Sequence, residues 1–208
     1  MRRYEASGAE SQFEPGSDSV LRNKLGITDP DVMDEVETGS LERMKSRSLD
    51  ALDTDHRFTA KYICDLHLDW LGEIYAFAGK YRTVNVSKRF VFAVATYVPQ
   101  MMSDLEKNQL REHMPCSGFD QQRLATALAS VHAELLITHP FREENGRLAR
   151  WIATLMAVQA GWATLDFEPE RTNPNARGRY FAALRRGFVG ELKPLEALFG
   201  EILSRSAQ

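Results

Sequence analysis

Apolar positions along the chain follow helical spacing over most of its length, and this pattern predicts a mainly α protein. Residues 1–18 are rich in Gly, Ser and Glu and predict a loosely ordered segment, with Phe13 and Pro15 as the first anchors. A short amphipathic piece from Ser19 to Leu25 ends at Gly26. Thr28-Asp29-Pro30 then reads as the cap and first turn of a helix running to about Ser46. From Thr59 to Phe77, Tyr62, Ile63, Leu66, Trp70, Ile74 and Phe77 recur at three- and four-residue steps, the period of a helix burying one face.

The pattern changes at Thr83, where Thr83-Val84-Asn85-Val86-Ser87 alternates polar and β-branched residues. Phe90-Val91-Phe92-Ala93-Val94 follows across Lys88-Arg89, and together they predict a short hairpin. Helical spacing resumes from Met101 to about Arg111. Asp120 can cap the next helix, which runs through Leu124, Leu128, Val131 and Leu135 until His139-Pro140 stops it. Another helix runs from Asn145 to a Gly161 cap, and two more cover Ala176 to Phe188 and Pro194 to Leu203. No linker-like stretch divides residues 19–203, so a single domain is expected there.

Composition narrows the function. Hydrophobic residues make up 43% and charged residues 26% of the 208 residues, enough for a buried core. A formal charge of -3 gives no basic field for nucleic acid or membrane. Cys64 and Cys116 form no metal or disulfide framework and are expected as free, mostly buried thiols. No signal-like or membrane-spanning apolar run is present, so a cytoplasmic protein is expected.

The segment HPFREENGRLAR, His139 to Arg150, concentrates the chemistry. A loop entering a helix N-terminus offers unpaired N–H groups at the positive end of the helix dipole, a natural anion site. Asn145 and Gly146 permit the tight backbone such a loop needs, and Arg147 and Arg150 share one face of the new helix. Cations there are unfavourable unless an anion is present, so a phosphate ligand explains them. Glu143 adds a carboxylate able to hold Mg²⁺ against phosphates, and His139 can take a proton near neutral pH. These are the parts of a phosphoryl- or nucleotidyl-transfer site. His132, Glu134 and His139 lack His-Glu-x-x-His spacing, so no metal site built by that trio is predicted. His67 reads as a packed or hydrogen-bonded residue of an apolar helical face, and His56 and His113 as solvent-facing.

The segment resembles the signature of the Fic family, HxFx(D/E)GNGRxxR. The likeness extends to FEPGSDSVLRNKLGI, HLDWLGEIYAFAGKYRTVNVSKRF and RGRYFAALRRGFVGELKPLEALF, covering roughly Phe13 to Leu203. It implies a single-domain helical fold with a β-hairpin flap beside the site, and transfer of AMP from ATP to a Ser, Thr or Tyr hydroxyl. By resemblance, His139 deprotonates the hydroxyl, Glu143 ligates Mg²⁺, Asn145 holds the α-phosphate region, and Arg147 and Arg150 take the remaining phosphates. Phe141 anchors the loop in the core. The flap residues Val84, Asn85, Val86, Ser87, Lys88, Arg89, Phe90, Val91 and Phe92 pair with the target by strand addition.

One position departs from the pattern: Glu144 stands where the family has Gly. A carboxylate ~5 Å from phosphate at an effective dielectric constant of ~20 costs about 3 kcal/mol, enough to change donor preference. The expectation is that Glu144 turns to solvent and leaves its N–H in service. Many Fic proteins are restrained by a helix carrying (S/T)xxxE(G/N), whose glutamate meets the second motif arginine, here Arg150. Only Thr38 to Glu42 approaches that pattern, with Arg43 following. The expected restraint is therefore a small separate antitoxin. Targets in related toxins include type II topoisomerase subunits. Two alternatives stand beside the enzyme: a catalytically silent peptide-binding or regulatory module, or a nucleotidyltransferase with another donor. A helical nucleic-acid binder is disfavoured by the charge.

Overall fold

A computed structural model describes residues 5–6, 12–87 and 90–207. The described chain is mainly helical, as the spacing predicts. Its elements are β1 (Glu5–Ala6), α1 (Pro30–Asp50), α2 (Ala60–Leu71), β2 (Val86–Ser87), α3 (Val98–Leu105), α4 (Arg111–His113), α5 (Gln121–Thr138), α6 (Asn145–Gln159), α7 (Glu168–Thr172), α8 (Pro174–Gly187) and α9 (Lys193–Ser206). A 3₁₀ turn, Ala95–Tyr97, leads into α3, and a π turn, Glu106–Leu110, joins α3 to α4. Among the described residues no helix is long and apolar enough to cross a membrane.

Two compact units interleave along the sequence. The first comprises Met1–Ala51, Thr59–Ser103 and Thr138–Leu148; the second comprises Leu52–Phe58, Asp104–Ile137 and Ala149–Gln208.

In the first unit, Asp29 caps α1 by accepting from the backbone N–H of Asp31 and Val32, with Pro30 opening the helix. Helix α1 packs on α2, burying Met33, Leu41 and Met44 beside Ile63, Leu66, Trp70 and Leu71. Polar groups within this seam are satisfied: Ser40 donates to the Trp70 carbonyl, and Trp70 Nε1 donates to the Glu37 carbonyl. The piece from Ser19 to Leu25 is not helical. Leu21 bridges Phe13, and Arg22 N–H donates to the Gln12 carbonyl, so backbone pairing replaces the expected turn of helix. Helix α2 stops at Leu71, six residues before the periodic run ends; Ile74 stays buried in the turns that follow.

Among the described residues the expected hairpin is seen as an antiparallel bridge, Ser87 to Val91, and Val86–Ser87 also pairs with Glu5–Ala6. Side chains explain this. Arg82 takes the carbonyls of Val84 and Ala93, and Asn85 Oδ1 accepts from Ala95 N–H, so groups that a longer ladder would pair are already satisfied. Lys88 and Arg89, the expected tip, lie outside the described residues, as do residues 1–4 and 7–11 of the expected loose N-terminal segment.

In the second unit, α7, α8 and α9 pack in sequence, and Leu128, Val131, Leu155, Met156, Tyr180, Leu184, Phe199 and Ile202 are buried. Gln159 is a buried junction, accepting from Cys116 N–H and donating to the carbonyls of Asp53 and His56. Cys116 is a free buried thiol pushed up to about 12 by desolvation, whereas Cys64 is free and half-buried. His56 and His113 are half-buried rather than solvent-facing.

Candidate active site

Helix α5 ends at Thr138 and α6 begins at Asn145, leaving residues 139–144 as the connecting loop. Its two ends take positive φ: His139 at 49° and Glu144 at 66°. Such conformations cost a side-chain-bearing residue roughly 1–2 kcal/mol, so the surroundings must hold them. Arg82 holds the first. Its buried guanidinium donates to the carbonyls of His139 (2.7 Å), Thr138 (3.2 Å), Val84 (2.8 Å) and Ala93, while its own N–H donates to Pro140. A cation fits there because the last carbonyls of a helix carry the negative end of its dipole.

Asn145 holds the other end. Its Oδ1 accepts from Phe141 N–H (2.9 Å), and its Nδ2 donates to the carbonyls of Phe141 (2.8 Å) and Glu143 (3.4 Å). These three bonds all run back to the loop, which makes Asn145 the clasp of the turn. Phe141 is fully buried and stacks on His67 at 3.9 Å between ring centroids. His67 Nδ1 accepts from Gly79 N–H (2.9 Å) and Nε2 lies 3.3 Å from the Glu143 carbonyl, which assigns the neutral tautomer with hydrogen on Nε2. Burial pushes its pKa down to about 3. Gly79 is required at this contact: its φ is +72°, and a Cβ would stand 2.7 Å from Leu68 Cβ.

The candidate catalytic and phosphate-binding side chains of the first unit sit on this frame. The buried His139 ring stacks on Phe92, with centroids 3.6 Å apart. Glu143 Oε1 accepts from Arg142 Nη1 at 2.6 Å, and both side chains are buried. Glu144 is 7% exposed and its Oε2 lies 2.6 Å from Arg147 Nε, with Oε1 3.2 Å from Nη2. Arg147 Nη2 also lies 3.6 Å from both Asp34 Oδ1 and Glu37 Oε2, and the guanidinium stands 5.6 Å from the Trp70 ring centroid.

A model of the Fic/DOC family matches residues 57–157, which contain this whole loop and its clamps. This stretch is a Fic/DOC family domain. Curated relatives include the protein adenylyltransferase VbhT of Bartonella schoenbuchensis, 29% identical over 167 residues that cover 78% of this chain and 33% of VbhT. The probable protein adenylyltransferase y4lH of Sinorhizobium fredii is 29% identical over 185 residues, covering 88% of this chain and 90% of that one. The chain thus spans a third of the first relative and nine tenths of the second. Among solved structures, BepC of Bartonella tribocorum with bound AMPPNP superposes with a TM-score of 0.70 at 24% identity, covering 91% and 94% of the two chains. That likeness establishes the fold, a Fic-type helical domain.

One sequence expectation changes within this Fic domain. Glu144 does not turn to solvent: its carboxylate engages Arg147, because a charge-assisted two-point bond to a guanidinium outweighs hydration of a side chain already enclosed by the loop. Within α1, Glu42 of the Thr38–Glu42 segment is exposed and pairs with Lys45, whereas the acids of that helix beside Arg147 are exposed Asp34 and buried Glu37. The flap contributes Val86 and Phe92 as buried contacts and leaves Val91 exposed, with Glu5–Ala6 on the edge of Val86–Ser87.

Arg150 lies in the second unit, where its charge acts on Tyr180 and His132. The Tyr180 hydroxyl lies 2.7 Å from His132 Nε2, and His132 Nδ1 lies 3.2 Å from the Ala149 carbonyl. With Nδ1–H donating to that carbonyl, Tyr180 donates to Nε2. Burial, aided by the Arg150 charge, pushes His132 down to about 3, and burial raises Tyr180. Arg82, His67, Tyr180 and Glu37 were not singled out as site residues from sequence. Their partners lie 48 to 76 residues away for three of them, and no local spacing marks such contacts.

Proposed function

We propose that this Fic domain is a protein adenylyltransferase that moves AMP from ATP to a Ser, Thr or Tyr hydroxyl of a target protein in the cytoplasm. The observation that carries this reading is the loop 139–144, pinned by Arg82 and Asn145 at the N-terminus of α6, with His139 at its start and Arg147 on the first turn. His139 removes the hydroxyl proton; the oxygen bonds to the α-phosphorus, and the bond from that phosphorus to the bridging oxygen breaks, releasing pyrophosphate. Amide groups opening α6, with Arg147 and Arg150, take the phosphate charge. The names of the relatives support the same chemistry.

Mg²⁺ fits through Glu143. Among the described residues no group of three or more His, Cys, Asp or Glu is placed to hold a metal. A single carboxylate completed by substrate phosphates is a common Mg²⁺ arrangement, and Arg142 fixes the orientation of the Glu143 carboxylate through Oε1. Bound there, the ion would neutralise phosphate charge. The target strand pairs with the flap, residues 84–92, taking the edge of Val86–Ser87 that Glu5–Ala6 holds here, and a separate small antitoxin supplies the restraining helix, since Glu42 is engaged with Lys45 on its own helix.

The engagement of Arg147 by Glu144 favours a second reading, a silent regulatory module. Incubation with ATP, Mg²⁺ and cell lysate, followed by mass spectrometry for AMP adducts, separates the two. Adducts that fall at least ~100-fold with His139→Ala support transfer; no His139-dependent adduct supports the module.

A further inference from the structure

Arg147 meets an unusual density of negative charge for a residue assigned to phosphate. Glu144, Glu37 and Asp34 place carboxylate oxygens 2.6 Å, 3.6 Å and 3.6 Å from its guanidinium nitrogens. Two of these carboxylates are buried, and Glu37 is further fixed by the Tyr75 hydroxyl, which donates to its Oε1. Glu144 is the member that comes from the loop itself. Its positive φ aims the side chain at the first turn of α6, where it meets the guanidinium through both Nε and Nη2. That two-point geometry is the one a phosphate would use on the same guanidinium.

We propose that Glu144 is a donor-selecting residue, a carboxylate standing in for phosphate on Arg147, so that the site gains little affinity from distal phosphates of a nucleotide. The inference rests on the nucleotide site proposed above and concerns which donors that site accepts. A nucleoside monophosphate unit bound at the loop leaves the Glu144–Arg147 pair intact. Each phosphate beyond it must either displace Glu144 or lie beside it uncompensated. The selected donor class is therefore a nucleotide whose leaving group carries less negative charge than pyrophosphate, with ATP accepted at reduced affinity.

The test is calorimetric titration of AMP, ADP and ATP, with Mg²⁺, into the wild-type chain, Glu144→Gln, Glu144→Gly and the double variant Glu144→Gln/Arg147→Met. Glu144→Gln keeps the bulk and removes the charge; Glu144→Gly also relieves the positive φ, so neither is expected to impair folding. Both single variants are expected to tighten ATP about tenfold to hundredfold, the scale of one uncompensated charge removed at short range. ADP should gain less and AMP almost nothing, and the gain should vanish in the double variant. Equal gains for all three nucleotides, or unchanged binding of each, would overturn the selecting role while leaving the nucleotide site standing. Absence of nucleotide binding by every variant would overturn the site itself.

Discussion

The two arginines of the motif, three residues apart on one helix, occupy opposite electrostatic settings. Arg147 in the first unit is matched by carboxylates, with Glu144 in two-point contact and Glu37 and Asp34 beyond it. Arg150 in the second unit acts on the neutral hydroxyl of Tyr180, which is backed by a neutral histidine. A guanidinium held by neutral dipoles is oriented yet keeps its charge for a ligand, whereas one already paired does not. Identical residue types in one motif therefore differ in how much phosphate charge each can take.

The comparison can be broken by removing each arginine without leaving its partners stranded. Arg150→Ala is expected to lower kcat/KM for ATP about hundredfold, the loss of a charged hydrogen bond to developing phosphate charge. The paired change Arg147→Met with Glu144→Gln, which removes guanidinium and competitor together, should cost less than about tenfold. Equal losses in steady-state kinetics would show that Arg147 is as available as Arg150.

A second test uses the buried imidazoles, one in each unit. His67 and His132 are each pushed down to about 3, so both stay neutral in the folded chain, while the unfolded chain protonates them below a pH of about 6.5. The folded pKa lies below the unfolded one. The stability each contributes is therefore complete above pH ~6.5 and falls as pH drops toward 3, by about 1.4 kcal/mol per pH unit per histidine. Urea unfolding at pH 6.5 and 5.0 should show this loss, and His132→Asn should reduce it by about 2 kcal/mol. An unchanged pH dependence in that variant would mean that His132 is not held neutral.

The smallest expected effect isolates the hydroxyl behind Arg150. Tyr180→Phe should lower stability by about 1 kcal/mol, the net value of one buried hydrogen bond, and raise KM for ATP with kcat nearly unchanged. A loss confined to kcat would move Tyr180 from positioning Arg150 to the chemical step.

How much of this was legible in the sequence depends on the range of the contacts. Asp29-Pro30, Asp120 and His139-Pro140 are local signals, and α1 begins, and α5 begins and ends, where these residues indicate. Helix α7 is only five residues long, too short to display a period, although Pro169 in its first turn was a usable marker. The extent of the hairpin was less legible, because β-branched alternation says nothing of Arg82, whose guanidinium takes the carbonyls of Val84 and Ala93. The loop's residue types were readable in one stretch. The direction of Glu144 was not, since it follows from a positive φ and from Arg147 one turn on.

Catalysis by the loop is tested most directly with ATP carrying its label on either the α- or the γ-phosphorus, incubated with Mg²⁺ and lysate proteins. The α-label should enter protein, disappear with His139→Ala and grow stronger with Glu144→Gln, while the γ-label stays in pyrophosphate. Transfer of the γ-label, or α-label incorporation that persists without His139, would contradict the assignment of this loop as an AMP-transferring site.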